Sequence, residues 1–234
     1  MKLKEYYFTE YYHQYITIEA DVLTDLLKDN IKVTEKDCYA LCSSYIASDG
    51  LLEFNVLAIG SSWEHCTKGL RYKRMLGTFT MEDVYDLEAR IALPTYEMIK
   101  KNTPFIEEMD KDVDDDLLRI REDSRLDPVR DIIYPDDVLV GVIIGNQIFE
   151  FDMEIKGING PFLTGILNEE PEMDIGLHID DPMWALPYVI QGDCRLFALF
   201  AGDHLSEDEK RTRDEIIRYT ESFGLNFHGI SLKN

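Results

Sequence analysis

The sequence predicts an α+β fold, and three observations support this prediction. Helical and strand patterns alternate over the first hundred residues, an acidic run fills 107–127, and strand patterns dominate from Pro128 onward. We therefore expect a mixed α/β N-terminal region at 1–106, an acidic connection at 107–127 and an antiparallel, β-rich C-terminal region at 128–234. The C-terminal sheet is expected to be antiparallel and barrel-like, and a terminal helix follows it.

Two strands and three helices are predicted in the N-terminal region. The strands are QYITIEA (14–20) and LLEFNVLAIG (51–60), and the helices cover 21–30, 36–48 and 81–93. Thr80 with Asp83 begins the last of these helices, and Pro94 ends it. In the second helix Cys38 and Cys42 are four residues apart, which would place both sulfur atoms on one helix face. We interpret this pair as packing residues rather than as metal ligands.

The acidic run 107–127 contains ten acidic and four basic residues. Such a run is typical of a solvated loop or helix face, and it is the best candidate for a domain boundary. A calcium-binding EF-hand loop would need glycine at its sixth position. A loop starting at Asp110 has Asp115 there, and one starting at Asp112 has Leu117, so the sequence predicts no dedicated calcium site.

The C-terminal region begins with a predicted β-hairpin. Its arms are VLVGVII (138–144) and QIFEFDMEI (147–155), and the turn residues Gly145 and Asn146 join them. Further strands are predicted at 159–167 and 194–200. Ser206 and Glu209 form a capping box for the final helix, which ends at Gly224.

The chain is strongly acidic. Its 46 acidic and 24 basic side chains give a formal net charge of −22 and an isoelectric point near 4.5. Such a surface repels nucleic acid and anionic lipid, so neither is expected as a partner, and it attracts basic proteins, polyamines or divalent cations. The alternative interpretation is that the acidic residues serve only to keep the protein soluble.

Compartment can also be predicted from the sequence. The first residues lack the apolar core of a signal peptide, and no uncharged stretch approaches the roughly 20 residues of a membrane helix. Four cysteines in a chain of 234 residues do not form a disulfide framework. We therefore expect a soluble, cytoplasmic protein with no membrane partner.

Motifs that mark common enzyme classes are missing from the sequence. It contains no G-x-S-x-G nucleophile elbow, no P-loop and no dinucleotide-binding glycine motif. His65 and Cys66 are adjacent, and no second ligand pair accompanies them, so we expect no zinc, no other metal ion and no cofactor. One basic cluster is interpreted as a surface loop that balances nearby acids, rather than as a phosphate or RNA site: Lys68, Arg71, Lys73 and Arg74.

A candidate site lies where the strand 159–167 ends, in FLTGILNEEP (162–171) and the GLHIDD and PMWALP stretches that follow (176–187). Gly165 permits a bulge or a close backbone approach, and Pro171 disfavours helix at the residue before it. We favour a structural interpretation as a strand end over a general acid/base cluster of Glu169, Glu170, His178 and Asp181. No catalytic residue is assigned, and the candidate binding residues are Asn168, Glu169, Glu170, His178, Asp181 and Trp184.

Three stretches of this region resemble a family of uncharacterised bacterial proteins. They are YPDDVLVG (134–141), GILNEEP (165–171) and GLHIDD (176–181), and the family carries YPDDV, G-x-L-L-N-E-P and G-x-H-x-G-D stretches in the same order. The resemblance covers about residues 126–200. Asn168 falls one position early, and Asp180 stands where the family has glycine, which is unfavourable for a tight turn. The resemblance implies a cytoplasmic, β-rich bacterial module, a strand–turn–strand role for these stretches, and no catalytic residues.

Two functions fit these patterns. We favour a non-enzymatic protein that binds a basic protein, for example as an acidic inhibitor or immunity-type protein, because acidic inhibitors commonly cover basic active sites. The alternative is a cation-dependent or acid/base hydrolase that uses Glu169, Glu170, His178 and Asp181. A pocket that joins these four side chains would favour the hydrolase, and exposed, separate side chains would favour the binding protein.

Overall fold

The computed structural model describes residues 1–19, 27, 36–68, 76–144, 147–160, 162–172, 176–190, 193–200 and 211. The fold is α+β, which confirms the predicted class. The chain divides into two units: unit 1 comprises Met1–Val113 and Ile132–Pro135, and unit 2 comprises Asp114–Asp131 and Asp136–Asn234. The first division falls inside the acidic run 107–127. The domain bounds proposed from the sequence stay a prediction.

Unit 1 is built on a five-stranded antiparallel sheet in the order β4-β3-β2-β1-β5. Its strands are β1 (Tyr15–Glu19), β2 (Tyr39–Ile46), β3 (Leu52–Gly60), β4 (Thr78–Thr80) and β5 (Glu88–Ala92). The strands predicted at 14–20 and 51–60 are confirmed as β1 and β3. Apolar clusters pack on both faces of this sheet, which explains why its central strands are apolar almost throughout.

The helix predicted over 36–48 is wrong, because Tyr39–Ile46 form strand β2. Every residue of β2 after the first is buried, so the strand has no polar alternation. A short apolar run of this kind cannot be told from a buried helix by its pattern. Cys38 precedes the strand and Cys42 lies within it, so the two thiols do not share a helix face. Both are free, and Cys42 is buried.

Short helical segments connect the strands of unit 1. They are the 3₁₀ helix η1 (Leu3–Glu5) and the α-helices α1 (Phe8–Tyr11), α2 (Trp63–Lys68), α3 (Met81–Val84) and α4 (Tyr96–Asp110). The predicted start of a helix at Thr80 is confirmed, since Thr80 Oγ1 accepts the Asp83 N–H at 3.3 Å. The predicted extent of that helix, 81–93, is wrong, because the chain turns after Val84 and forms β5.

Helix α4 was not predicted, and it covers one face of the sheet. Thr95 caps it by accepting the Met98 N–H at 3.3 Å. Met98 packs in the apolar cluster on that face. Next to it, the buried Asn102 donates to Ser43 Oγ at 2.7 Å and accepts from Asn55 Nδ2 at 3.3 Å. These directional bonds between buried polar side chains hold α4 at one position on β2 and β3.

Unit 2 contains a closed five-stranded barrel in the order β10-β6-β7-β8-β9. Its strands are β6 (Asp137–Ile144), β7 (Gln147–Asn159), β8 (Phe162–Leu167), β9 (Pro182–Ile190) and β10 (Asp193–Phe200). Consecutive strands are antiparallel, and β10 closes the barrel by pairing in parallel with β6. An up-and-down path with an odd number of strands must close this way, because its first and last strands run in the same direction. The barrel-like form of the C-terminal sheet is confirmed, with this parallel pairing as the difference.

The barrel interior is packed with apolar side chains. Inward residues of all five strands form one cluster, to which α5 (Asp115–Arg121) and the 3₁₀ helix η2 (Ser124–Val129) add Ile120, Leu126 and Val129. The predicted hairpin is confirmed by the pairing of β6 with β7, which begins at Ile144 and Gln147. Its turn residues, 145–146, lie outside the described residues.

Gly165 marks a close approach of two barrel strands, as predicted. A Cβ atom at this position would lie 2.2 Å from the Glu154 carbonyl oxygen of β7. The register between β7 and β8 shifts between Ile155 and Gly157, directly beside this contact. Such an irregularity lets the strands of a narrow barrel bend, and only glycine fits at the point of contact.

Strand β9 was not predicted, and its two prolines, Pro182 and Pro187, are residues that a sheet interior disfavours. Pro182 is tolerated as the first residue of the strand. Pro187 lies beyond the pairing with β8, which ends at Ala185. Neither proline therefore interrupts the ladder between β8 and β9.

Three predictions fall outside the described residues. They are the helix over 21–30, the terminal helix that ends at Gly224, and the basic cluster. Of these segments the structure describes only Leu27, Arg211 and Lys68. Among the helices that the structure describes, none has the length and apolar character needed to cross a membrane.

Candidate functional site

The three stretches that carry the family resemblance meet at one end of the barrel. Asp137 begins β6, Leu167 ends β8 and Pro182 begins β9. Both β6 and β8 pair with β7 around Glu154, and β8 pairs with β9 at Pro182, so these strand ends are adjacent. The candidate site is therefore the barrel end formed by 136–137, 152–154, 167–170 and 178–182.

Asn168 connects two of these stretches. Its side-chain amide donates to Asp137 Oδ2 at 2.6 Å, and its backbone N–H donates to the Asp152 carbonyl oxygen at 2.9 Å. Asn168 follows directly after β8, where the strand ends and its backbone would otherwise lose its partners. These two hydrogen bonds hold the end of β8 against β6 and β7.

Carboxylates crowd around Asp137. Burial, followed by the nearby carboxylates of Glu154, Asp131 and Asp152, raises the pKa of Asp137 to about 6, while the hydrogen bond from Asn168 opposes this rise. Burial and the charge of Asp131 also raise the pKa of Asp152. This end of the barrel therefore concentrates negative charge where water solvates it only in part.

Asp136, the neighbour of Asp137, lies in a buried ion pair. Arg121 Nε donates to Asp136 Oδ1 at 3.0 Å, and Arg121 Nη2 donates to Oδ2 at 2.6 Å. Close by, Arg130 Nε lies 4.0 Å from Asp127 Oδ1, and both of these side chains are also buried. Burial lowers the pKa of Arg130, and the charges of Asp136 and Asp127 oppose this effect. A solvated face was predicted for 107–127, and that prediction is wrong for Arg121 and Asp127.

Glu170, His178 and Asp181 are joined by hydrogen bonds. Glu170 Oε1 lies 2.9 Å from His178 Nδ1, and Glu170 Oε2 accepts the Ile179 N–H at 2.9 Å. Asp181 Oδ2 accepts the His178 N–H at 2.8 Å. The bonds from His178 and from the Ile179 backbone lower the pKa of Glu170. Because the Glu170 and His178 side chains are 55% and 67% exposed, the group closes a surface loop rather than lining a buried cavity.

A tight turn is present at Asp180, although the sequence pattern made it unfavourable. Asp180 has a φ of +69°, in the left-handed region. Its N–H donates to the Leu167 carbonyl oxygen at 2.9 Å, and the Asp181 N–H donates to the His178 carbonyl oxygen at 3.0 Å. Aspartate is one of the few residues besides glycine that enter this region readily. The tight turn that the replacement of glycine by Asp180 put in doubt is therefore present.

The remaining candidate residues have other surroundings. Asn168 bonds Asp137, as described above. Glu169 is exposed and has no hydrogen bond or ion pair with the residues that the structure describes. The Trp184 ring lies 5.2 Å from the Phe162 ring, on the outer side of β8 and β9. The structure thus brings Glu170, His178 and Asp181 together and leaves the other three apart from them.

Sequence reasoning missed the carboxylates around Asp137. Asp152 lies between the apolar residues Phe151 and Met153 on β7, a pattern that is typical of an ordinary outward position. Its proximity to Asp137 depends on the register of β7 against β6, which the sequence does not display. Within the described ranges, no three or more histidine, cysteine, aspartate or glutamate side chains are grouped so that they could hold a metal ion.

Comparisons of the chain with protein-family models, with curated proteins and with solved structures found no match. The resemblance to a bacterial family therefore stays a prediction. Function has to be argued from the geometry and the charge of the molecule itself.

Proposed function

We propose that this is a non-enzymatic, cytoplasmic bacterial protein that acts by binding a basic protein, as an acidic inhibitor or immunity-type protein does. The observation that supports this proposal is an excess of acidic side chains over the basic side chains that could neutralise them. Basic side chains in both units pair with acids of the same chain: Lys4 with Asp86, Lys111 with Glu108, Arg119 with Asp116, Arg121 with Asp136, Arg125 with Asp123 and Lys156 with Glu154. Acidic residues outnumber basic ones, so acids remain without a basic partner, and the formal net charge is −22.

The geometry of the loop that contains Glu170, His178 and Asp181 supports binding rather than hydrolysis. The hydrogen bonds of Glu170 and Asp181 with the backbone at 178–179 hold the loop shape. Glu169 lies exposed and apart from this group. A hydrolase would need these carboxylates to converge on a substrate beside a positioned base.

One contact keeps the hydrolase as a second candidate. A carboxylate that bonds one imidazole nitrogen can orient a catalytic histidine, and Glu170 lies 2.9 Å from His178 Nδ1. If this pair is catalytic, the wild type will hydrolyse at least one member of a panel of ester and phosphoester substrates, and His178→Ala will abolish that activity. Equal rates for the two proteins, at the uncatalysed level, would remove this candidate.

Affinity capture from an extract of the source bacterium tests the binding proposal. Two baits are compared with the wild type. The first neutralises three exposed acids of unit 1 (Glu97→Gln, Glu107→Gln, Asp112→Asn), and the second exchanges the same acids with their charge kept (Glu97→Asp, Glu107→Asp, Asp112→Glu). We expect a basic protein to be captured by the wild type and by the charge-conserving bait, and to be captured less by the neutralised bait. Capture of no basic protein, or equal capture by all three baits, would contradict the proposal.

A further inference from the structure

The two edges of the sheet in unit 1 are protected differently. The edge strand β4 is only three residues long, which limits pairing with another chain. At the other edge, the N-terminal residues cover the first half of β5. The Leu3 N–H donates to the Leu87 carbonyl oxygen at 2.9 Å, and the Ala89 N–H donates to the Met1 carbonyl oxygen at 2.8 Å.

Among the residues that the structure describes, none covers the second half of β5. The N–H of Ala89 points outward to Met1, and backbone groups alternate along a strand, so the N–H and carbonyl groups of Ile91 also point outward, and Leu93 follows directly after the strand. Among the described residues, no hydrogen bond reaches these outward groups. An unprotected edge of this kind is a template for an added strand.

Large exposed apolar side chains lie in β5 and in the segment that follows it. Ile91 is 41% exposed, Leu93 87%, Tyr96 73% and Ile99 47%, and they follow one another from the end of β5 into the first turns of α4. Large apolar side chains grouped on a surface mark interaction sites, and tyrosine is enriched among residues that dominate binding. At Ile91 and Leu93, exposed apolar side chains therefore occur in the same segment as the outward backbone groups.

We propose that the open half of β5 accepts an extended, basic segment of a partner protein as an added strand. The inference rests on the proposed function, whose binding surface it locates. In such strand addition, backbone hydrogen bonds supply affinity and alternate side chains supply specificity. Leu93 and Tyr96 would contact apolar side chains of the added strand, and the exposed Glu97 would face its basic ones.

A second copy of this chain is a poorer occupant of the edge. Each copy carries a formal net charge of −22, so two copies repel each other. A cationic strand of a partner protein is attracted by this charge rather than repelled by it.

The probe for this inference is a short synthetic peptide in which valine and lysine alternate, and the matched peptide alternates valine and glutamate. Hydrogen–deuterium exchange of the full chain is followed residue by residue with each peptide. We expect the lysine peptide to slow exchange at the Ile91 and Leu93 amides, and the glutamate peptide to leave it unchanged. Protection at other residues only, or equal protection by both peptides, would overturn the inference.

Variants at the edge give a second measurement. Leu93→Lys places a charge at a highly exposed position outside the strand, where it should not disturb folding, and we expect it to weaken binding of the lysine peptide about tenfold, or ~1.4 kcal/mol. Ile148→Lys, at an isoleucine that is 59% exposed in unit 2, is the matched control and should leave binding unchanged. Equal effects of the two variants would contradict the inference.

The outcomes separate the inference from the proposed function. If a captured basic partner binds Leu93→Lys as tightly as the wild type, the edge is excluded and the binding function stands. If sedimentation shows that the wild type forms dimers and that Leu93→Lys abolishes them, the occupant is a second copy and the inference is wrong. If no basic partner is captured, the proposed function fails whatever the peptide does.

Discussion

Replacing Asp137 by asparagine is expected to stabilise the protein at neutral pH. Asp137 is 9% exposed, and the pKa of its carboxyl rises from 3.8 to about 6 because of burial and three neighbouring carboxylates. An asparagine at this position has no charge, and its carbonyl oxygen can still accept the hydrogen bond from Asn168. The substitution removes the unfavourable charge and keeps the hydrogen bond that connects β6 with the residue after β8.

The magnitude follows from the rise in pKa. Each pKa unit corresponds to ~1.4 kcal/mol, so a rise of roughly two units sets an upper bound of about 3 kcal/mol. Partial solvation of the barrel end reduces this value, and we expect a gain of about 1–2 kcal/mol at pH 7. A raised carboxyl pKa stabilises the folded state below the unfolded pKa, and this contribution is lost as the pH rises through about 6. The gain from Asp137→Asn should therefore vanish near pH 4 and be complete at pH 7.

Urea denaturation of the two proteins at pH values between 4 and 7 measures this difference, because the pH dependence of the groups that do not interact with Asp137 cancels. Glu150→Gln, at an exposed position of β7 that pairs loosely with Arg195 at 3.8 Å, is the control and should change the free energy of unfolding by less than ~0.5 kcal/mol at every pH. If Asp137→Asn is destabilising at pH 7, or if its effect is independent of pH, the account of the carboxylate cluster is refuted.

Three further predictions concern packing, the buried ion pair and the connection. Gly165→Ala should destabilise the barrel by about 2–3 kcal/mol because its Cβ would meet a carbonyl oxygen, whereas Gly157→Ala should be tolerated, and urea denaturation compares them. Arg121→Met should cost about 3–5 kcal/mol in the same assay, against less than ~1 kcal/mol for the exposed Arg119→Met, and equal costs would contradict the buried pair. Limited trypsin digestion should cut within 107–127 at the exposed Lys111, and protection of this site until global unfolding would exclude an exposed connection.

Local patterns in the sequence predicted much of the barrel. The hairpin of β6 and β7, the strands β8 and β10 and the close approach at Gly165 are all expressed by residues near one another in the chain. The strands that were missed or mistaken have a common physical cause. Burial on both faces of β2 removes the alternation of apolar and polar residues that would identify it as a strand. In β9, whether Pro182 and Pro187 are tolerated depends on which strands lie beside them.

The candidate site was predictable only in part. The loop of Glu170 and His178 is local, so these two residues are near one another in the chain as well as in the structure. The environment of Asp137 depends on the register of three strands, and its buried neighbour Asp136 depends on Arg121 of a helix that no pattern connected to it. Long-range contacts of this kind are set by the whole barrel, and a single sequence does not display them.

The central claim is that the negative charge of the chain serves to bind a basic protein. Association rate constants with the captured partner, measured by stopped flow over a series of salt concentrations, test it most directly. Long-range attraction acts before contact and is screened over ~8 Å at physiological ionic strength. The account predicts that added salt slows association steeply and changes dissociation little, and that the variant neutralised at Glu97, Glu107 and Asp112 has a weaker salt dependence. Association that is indifferent to salt would contradict the claim and leave solubility as the role of the charge.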